Sequence, residues 1–84
     1  MRNLTLSFIK RHRLEDSSDA FKEGLDCFFE DLEGNLPRLT VKELSGLIKD
    51  KLKRARENHR YAPTEDAKEF QKGFIVACEF YLGI

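Results

Sequence analysis

The sequence predicts an all-α fold, a small bundle of three main helices with the C-terminal helix at its centre and an N-terminal arm beside it. Apolar residues recur at helical spacing over residues 17–33, 41–58 and 65–82. Residue types that cap helices stand at the ends of these segments. The last segment carries two apolar stripes, so it needs neighbours on two sides. The 84 residues are expected to form one domain with a modest core.

The N-terminal arm, residues 1–13, has an ambiguous pattern. Leu4, Leu6 and Phe8 alternate with polar residues, which is the period of a half-buried strand. No second alternating segment follows with which a lone strand could pair. Either the segment pairs with its own copy in a symmetric dimer, or it is a short helix or extended arm laid over the core. We favour the arm or helix.

The first main helix is predicted between N-cap candidates Asp16, Ser17 and Ser18 and a stop at Gly34, with Pro37 in the connector. Its buried stripe comprises Phe21, Leu25, Phe28, Phe29 and Leu32. Carboxylates cover the outer face and persist into the last turn, where they oppose the helix dipole. Solubility alone is the simpler explanation, but the unfavourable placement suggests a partner-binding acidic face: Asp19, Glu23, Asp26 and Glu30.

The second main helix has a complete start signal. Thr40 and Glu43 predict a capping box, and Leu39 with Leu44 predicts a hydrophobic staple. The predicted buried face comprises Val41, Leu44, Leu47, Ile48, Leu52 and Ala55. Lys51 falls inside this apolar arc, and we expect its stem to run out to solvent rather than to meet a carboxylate.

A basic ridge follows the other side of this helix: Lys42, Lys49, Lys53, Arg56 and Arg60. The ridge spans about 27 Å along the helix at the helical rise. It lies well around the helix from the apolar stripe, so we do not expect the fold to cover it. A solvated helix face is the favoured interpretation. The functional one is a surface that binds an acidic protein or a phosphate backbone.

The third main helix is predicted to begin after Thr64 and to end at Gly83. Its broad stripe comprises Ala67, Phe70, Phe74, Ile75, Ala77, Cys78, Tyr81 and Leu82. The narrow second stripe holds Gly73, Val76 and Phe80. Without an assured neighbour inside the chain, these three are either covered by the arm or form a dimer seam.

Charge and composition argue against a secreted, a membrane-spanning or a disulfide-bonded protein. The net charge of +0 hides blocks of +4 (residues 1–13), −7 (14–37), +5 (38–60) and −2 (61–84). No signal-peptide pattern or membrane-length apolar run is visible, so we expect a cytoplasmic chain. We expect Cys27 and Cys78 to be free thiols, with acidic neighbours disfavouring the Cys27 thiolate.

Chemistry-bearing patterns are scarce. His12 and His59 lack other ligands at metal-binding spacing, and there is no phosphate loop or nucleophile motif, so we expect no metal, no cofactor and no small-molecule substrate. The sequence thus favours a non-enzymatic protein-binding module, a regulator, inhibitor or adaptor acting through charged helix faces. Its size and style resemble small accessory proteins of phages and mobile elements. We expect another protein as partner, with a homodimer also compatible and no membrane.

The alternative is a nucleic-acid-binding dimer that uses the basic ridge and the N-terminal arm. If the arm were a strand paired across a dimer, its polar side chains would face outwards as a β-ribbon reader requires.

Overall fold

The computed structural model describes residues 2–35 and 38–84, and this part of the chain forms four helices: α1 (Arg2–Arg11), α2 (Asp19–Asn35), α3 (Val41–Arg60) and α4 (Glu65–Leu82). It contains no strand within those residues. The C-terminal helix α4 packs against α2 and against α3, and α1 packs against α2. The predicted all-α bundle with a central last helix is therefore confirmed.

The N-terminal arm is a helix, and the strand alternative is wrong. Its buried residues are Thr5, Phe8 and Ile9, whose spacing matches one face of a helix. Leu4 and Leu6 lie on the two flanks of that face and remain 48% and 54% exposed. The alternation in the sequence therefore came from the flanks of a helical stripe.

Capping hydrogen bonds explain where α2 and α3 begin. The Ser18 hydroxyl accepts from the Phe21 amide at 3.2 Å, so Ser18 is the cap among the three candidates and α2 begins two residues later than predicted. The Thr40 hydroxyl accepts from the Glu43 amide, and the Glu43 carboxylate accepts from the Thr40 amide, both at 3.2 Å. The predicted capping box is confirmed, and its hydrogen bonds lower the pKa of Glu43.

The end of α2 differs from the prediction. The helix continues through Gly34 to Asn35, whose side-chain amide donates to the Asp31 carbonyl at 2.8 Å. The Asn35 carbonyl then accepts from the amides of Arg38 and Leu39. Asn35 therefore closes the helix, and Gly34 does not. Pro37 lies outside the described residues.

The caps of α4 match the prediction. The Thr64 hydroxyl accepts from the Ala67 amide at 3.1 Å. At the other end, Gly83 has φ 75° and donates its amide to the Phe80 carbonyl, while the Ile84 amide donates to the Glu79 carbonyl. This pair of bonds is a Schellman motif, which requires the left-handed conformation that glycine adopts without strain.

Two glycines allow α2 and α4 to cross at backbone contact. A Cβ added to Gly24 would lie 2.0 Å from the Phe70 carbonyl oxygen, and one added to Gly73 would lie 2.1 Å from the Phe21 carbonyl oxygen. Each glycine thus faces the backbone of the other helix, which no larger residue permits. This crossing fixes the position of α2 on the central helix.

The core fills the space between α4 and its neighbours with large side chains. Phe28, Leu25, Ile48 and Cys78 are the largest side chains that are fully enclosed. Val41, predicted in the buried face of α3, is the first residue of that helix and is 78% exposed. Lys51, expected to run out to solvent, instead pairs with Asp31 of α2 at 3.2 Å and joins α3 to α2.

Candidate functional site

The basic ridge lies on the solvent side of α3. All five of its side chains are exposed. They are held there because the opposite face of the helix buries Leu44, Ile48, Leu52 and Ala55. Four ridge residues, Lys49, Lys53, Arg56 and Arg60, border one groove. Lys42, two turns before Lys49 on the same side of α3, does not border this groove.

This groove, here called the basic groove, runs between α3 and the end of α4 and has a volume of about 630 Å³. Its remaining lining comprises Leu52, Glu57, Leu82 and Ile84. Ile84 is 75% exposed and lies there because the Schellman turn at Gly83 carries the chain past the end of α4. Cations thus stand along one side of an apolar strip.

The electrostatics of the basic groove are positive but partly balanced. Its four cations face one lining carboxylate, Glu57. Arg56 also donates to the Glu79 carboxylate at 2.9 Å, which ties the ridge to α4. Both side chains of that pair are well exposed, so the pair contributes at most about 1 kcal/mol to stability.

The acidic face of α2 is exposed at Asp19, Glu23 and Glu30 and covered on one flank, at Asp26. Helix α1 lies along its flank, and the buried Thr5 hydroxyl donates to the Asp26 carboxylate at 3.0 Å. Asp19, Glu23 and Asp26 border a second groove of about 560 Å³, here called the acidic groove, with Leu6 and Ile9 of α1. Glu30 is exposed but is not part of its lining.

The contact of α1 with the acidic face had a signal that the sequence prediction missed. Thr5, Phe8, Ile9 and His12 recur at helical spacing, which is the pattern of a helix packed on one side. The alternation of Leu4 with Leu6 masked it, because each of those leucines is about half exposed.

The three residues predicted as a dimer seam do not share one free surface. Gly73 is buried against the Phe21 backbone of α2, so its close approach is used inside the chain. Val76 is half-buried against the core. Phe80 contacts Phe8 of α1, with ring centroids 5.1 Å apart, and is 51% exposed. The prediction of a dimer seam is therefore wrong for Gly73. Helix α1 covers Phe80 only in part.

The two thiols pack against the core, and the His12 ring packs against aromatic rings. Cys27 and Cys78 are free. Burial is the first cause that raises the pKa of Cys27, followed by Asp31 and Glu30; the predicted direction is confirmed, but burial outweighs the carboxylates. Burial raises the pKa of Cys78 to about 12. The His12 ring packs against Phe8 and Phe80, at centroid distances of 4.3 and 4.8 Å.

The described residues contain no group of three or more His, Cys, Asp or Glu side chains that could hold a metal ion. None of the helices in that part of the chain combines the length and the apolar content that crossing a bilayer requires.

Comparisons with protein-family models, with curated proteins and with solved structures give no match for this chain.

Proposed function

We propose that this chain is a non-enzymatic protein-binding module whose basic groove docks an acidic, amphipathic segment of another protein. The observation that carries the proposal is the combination of four cations with an apolar strip in one open groove. A segment with carboxylates along one edge and large apolar side chains beside them matches both parts. Such a module acts as a regulator, inhibitor or adaptor by occupying its partner's surface.

The apolar strip favours a protein over nucleic acid as the occupant. Leu82 and Ile84 contribute apolar surface that a phosphate backbone cannot use, and Glu57 in the lining would repel phosphates. A nucleic-acid-binding dimer also loses the β-ribbon, because the N-terminal segment is the helix α1. The line of cations from Lys49 to Arg60, about 16.5 Å at the helical rise, is what still supports that alternative.

A designed peptide tests the docking role directly. The probe is a fluorescein-labelled helical peptide with glutamates along one edge and leucines beside them, and the control is a scrambled peptide of the same composition. Fluorescence anisotropy should show at least about tenfold tighter binding of the designed peptide, a difference of about 1.4 kcal/mol. The double variant Lys49→Glu, Lys53→Glu should lose at least that factor.

The matched control is the double variant Lys68→Glu, Lys72→Glu. It makes the same change in net charge with the same spacing on the exposed side of α4, and binding should stay within about twofold of the original chain. Equal losses in both double variants would show that net charge, and not the groove, drives binding. Tighter binding to generic duplex DNA, lost in the groove variant and falling steeply with salt, would favour the nucleic-acid alternative.

A further inference from the structure

Two lines of opposite charge on this chain have the same spacing. The acidic line comprises Asp19, Glu23, Asp26 and Glu30 of α2, and the basic line comprises Lys49, Lys53, Arg56 and Arg60 of α3. In each line the steps are four, three and four residues, so each spans about 16.5 Å. This order of steps reads the same from either end of the helix. Two helices laid side by side, parallel or antiparallel, would bring four carboxylates opposite four cations.

The two lines cannot meet within one chain. Helix α4 packs against both α2 and α3. The acidic line lies opposite the buried face of α2, and the basic line borders the groove between α3 and the end of α4. The ion pair that does join α2 to α3 uses Asp31 and Lys51, which belong to neither line.

Exposed apolar side chains complement the charges. Leu6, 54% exposed, lies at the acidic groove beside Asp19 and Glu23. Ile84, 75% exposed, lies at the basic groove beside the cations. A contact between the two faces would bury both side chains while it pairs the charges, and burial of apolar area adds to association where surface ion pairs contribute little.

We infer that the basic groove of one copy docks the acidic line of α2 of a second copy. The inference rests on the proposed docking role of the basic groove and names its occupant. The two surfaces are different, so the contact either repeats from copy to copy in an open chain or ring, or closes reciprocally in a two-fold dimer. In the two-fold dimer each basic groove holds the acidic line of the other copy. An external acidic partner would then compete with the neighbouring copy for the same groove.

Some members of the two lines are already held inside the chain. Asp26 accepts from Thr5, and Arg56 pairs with Glu79. The contact therefore depends most on Asp19, Glu23 and Glu30 on one side and on Lys49, Lys53 and Arg60 on the other. Because the net charge is +0, copies do not repel one another at long range, and salt should weaken the local attraction.

Sedimentation equilibrium of the full chain tests the inference first. Between about 10 µM and about 1 mM, the range where weak contacts fill, the average mass should rise above the 9.8 kDa of one chain. The rise should shrink in about 0.5 M salt and reverse when the designed acidic peptide is added. A mass that stays at one chain while the peptide still binds would overturn the inference and leave the docking role intact. A mass that stops at a salt-resistant dimer would also overturn it.

Charge reversal tests the pairing. One variant carries Lys49→Glu, Lys53→Glu and Arg60→Glu, which takes the net charge from +0 to −6 and makes both faces acidic. The other carries Asp19→Lys, Glu23→Lys and Glu30→Lys, which takes it to +6 and makes both faces basic. Each alone should be monomeric, and the mixture should associate. Association of either variant alone would contradict the pairing.

Zero-length cross-linking of lysine to carboxylate locates the contact in the unaltered chain, so it does not depend on any variant folding. In a mixture of isotopically light and heavy copies, Lys49 and Lys53 should be joined to Asp19, Glu23 or Glu30 of the other isotopic form. Links between copies that are scattered over the surface, or that avoid α2 and α3, would overturn the inference.

Discussion

Replacing either crossing glycine by alanine should destabilise the fold, although alanine is the better helix former by about 1 kcal/mol. In both Gly24→Ala and Gly73→Ala the new methyl would lie about 2 Å from a carbonyl oxygen of the facing helix. Real Cβ atoms essentially never come closer than 3.0 Å to a non-bonded atom, so α2 and α4 must separate by at least about 1 Å. Overpacking of this kind costs about 1–3 kcal/mol or more. We expect a net loss of about 1–3 kcal/mol for each variant.

Gly46→Ala is the matched control. Gly46 lies in α3, is exposed, and has no atom within 4 Å of an added Cβ. Since only the backbone effect remains, this variant should gain about 0.5–1 kcal/mol. The free energy of unfolding, measured by urea titration followed by circular dichroism, should therefore differ by about 1.5–4 kcal/mol between Gly46→Ala and either crossing variant.

The double variant Gly24→Ala, Gly73→Ala provides a further check. Both methyl groups would push at the same crossing, so the second should cost less than the first. If all three single variants were equally stabilised, the two helices would not be in backbone contact, and the position of α2 on α4 would be wrong.

Three further outcomes are expected. Thr40→Ala should lose about 1 kcal/mol in the same urea titration because α3 loses its cap; an unchanged midpoint would contradict the capping box. Burial raises the pKa of Cys78 from 9.0 in the unfolded chain to about 12 in the folded chain. Between these two pH values the unfolded chain loses the thiol proton while the folded chain keeps it, so the contribution of Cys78 to stability declines as pH rises through this window. At about pH 8 iodoacetamide should label it only in denaturant, as mass spectrometry would show; labelling in the folded chain at the unfolded rate would contradict its burial. Phe8→Ala should cost about 3 kcal/mol and Leu6→Ala less than about 1 kcal/mol, because Phe8 is buried and Leu6 is half exposed; equal losses would mean that α1 is packed differently.

The sequence predicted best what depends on neighbours along the chain. Thr40 and Glu43 form their capping box, and Thr64 and Gly83 end α4, because these hydrogen bonds join residues only a few positions apart. The apolar stripes likewise indicated the buried faces of α2, α3 and α4, since the helical period is local. The prediction that Val41 is buried was wrong, because a residue at the end of a helix can belong to the apolar stripe and still have no neighbour to cover it.

Contacts between distant segments could not be predicted in the same way. Gly73 was placed in the narrow stripe of its own helix, but nothing in the local sequence placed it against the backbone of α2, or Gly24 against the backbone of α4. The pair between Lys51 and Asp31 depends on the same register. Composition also could not show that Ile84, beyond the end of α4, lies in the basic groove.

The charged residues were visible in the sequence, but the structure divides them. Four of the five ridge cations border the basic groove and Lys42 does not, and α1 covers one flank of the acidic face at Asp26. The surface that carries the proposed function is therefore smaller than the predicted ridge, and it is more apolar because Leu82 and Ile84 contribute to it.

The most direct test of the basic groove as a docking surface is a nuclear magnetic resonance titration of the ¹⁵N-labelled chain with the designed acidic peptide. In the dilute chain, amide shifts should change along residues 49–60 of α3 and at residues 82–84, which include the lining of the groove. Amides of α1 and of the outer face of α2 should stay unchanged. Shift changes confined to α1 and α2, or spread evenly over the surface, would contradict docking in the basic groove.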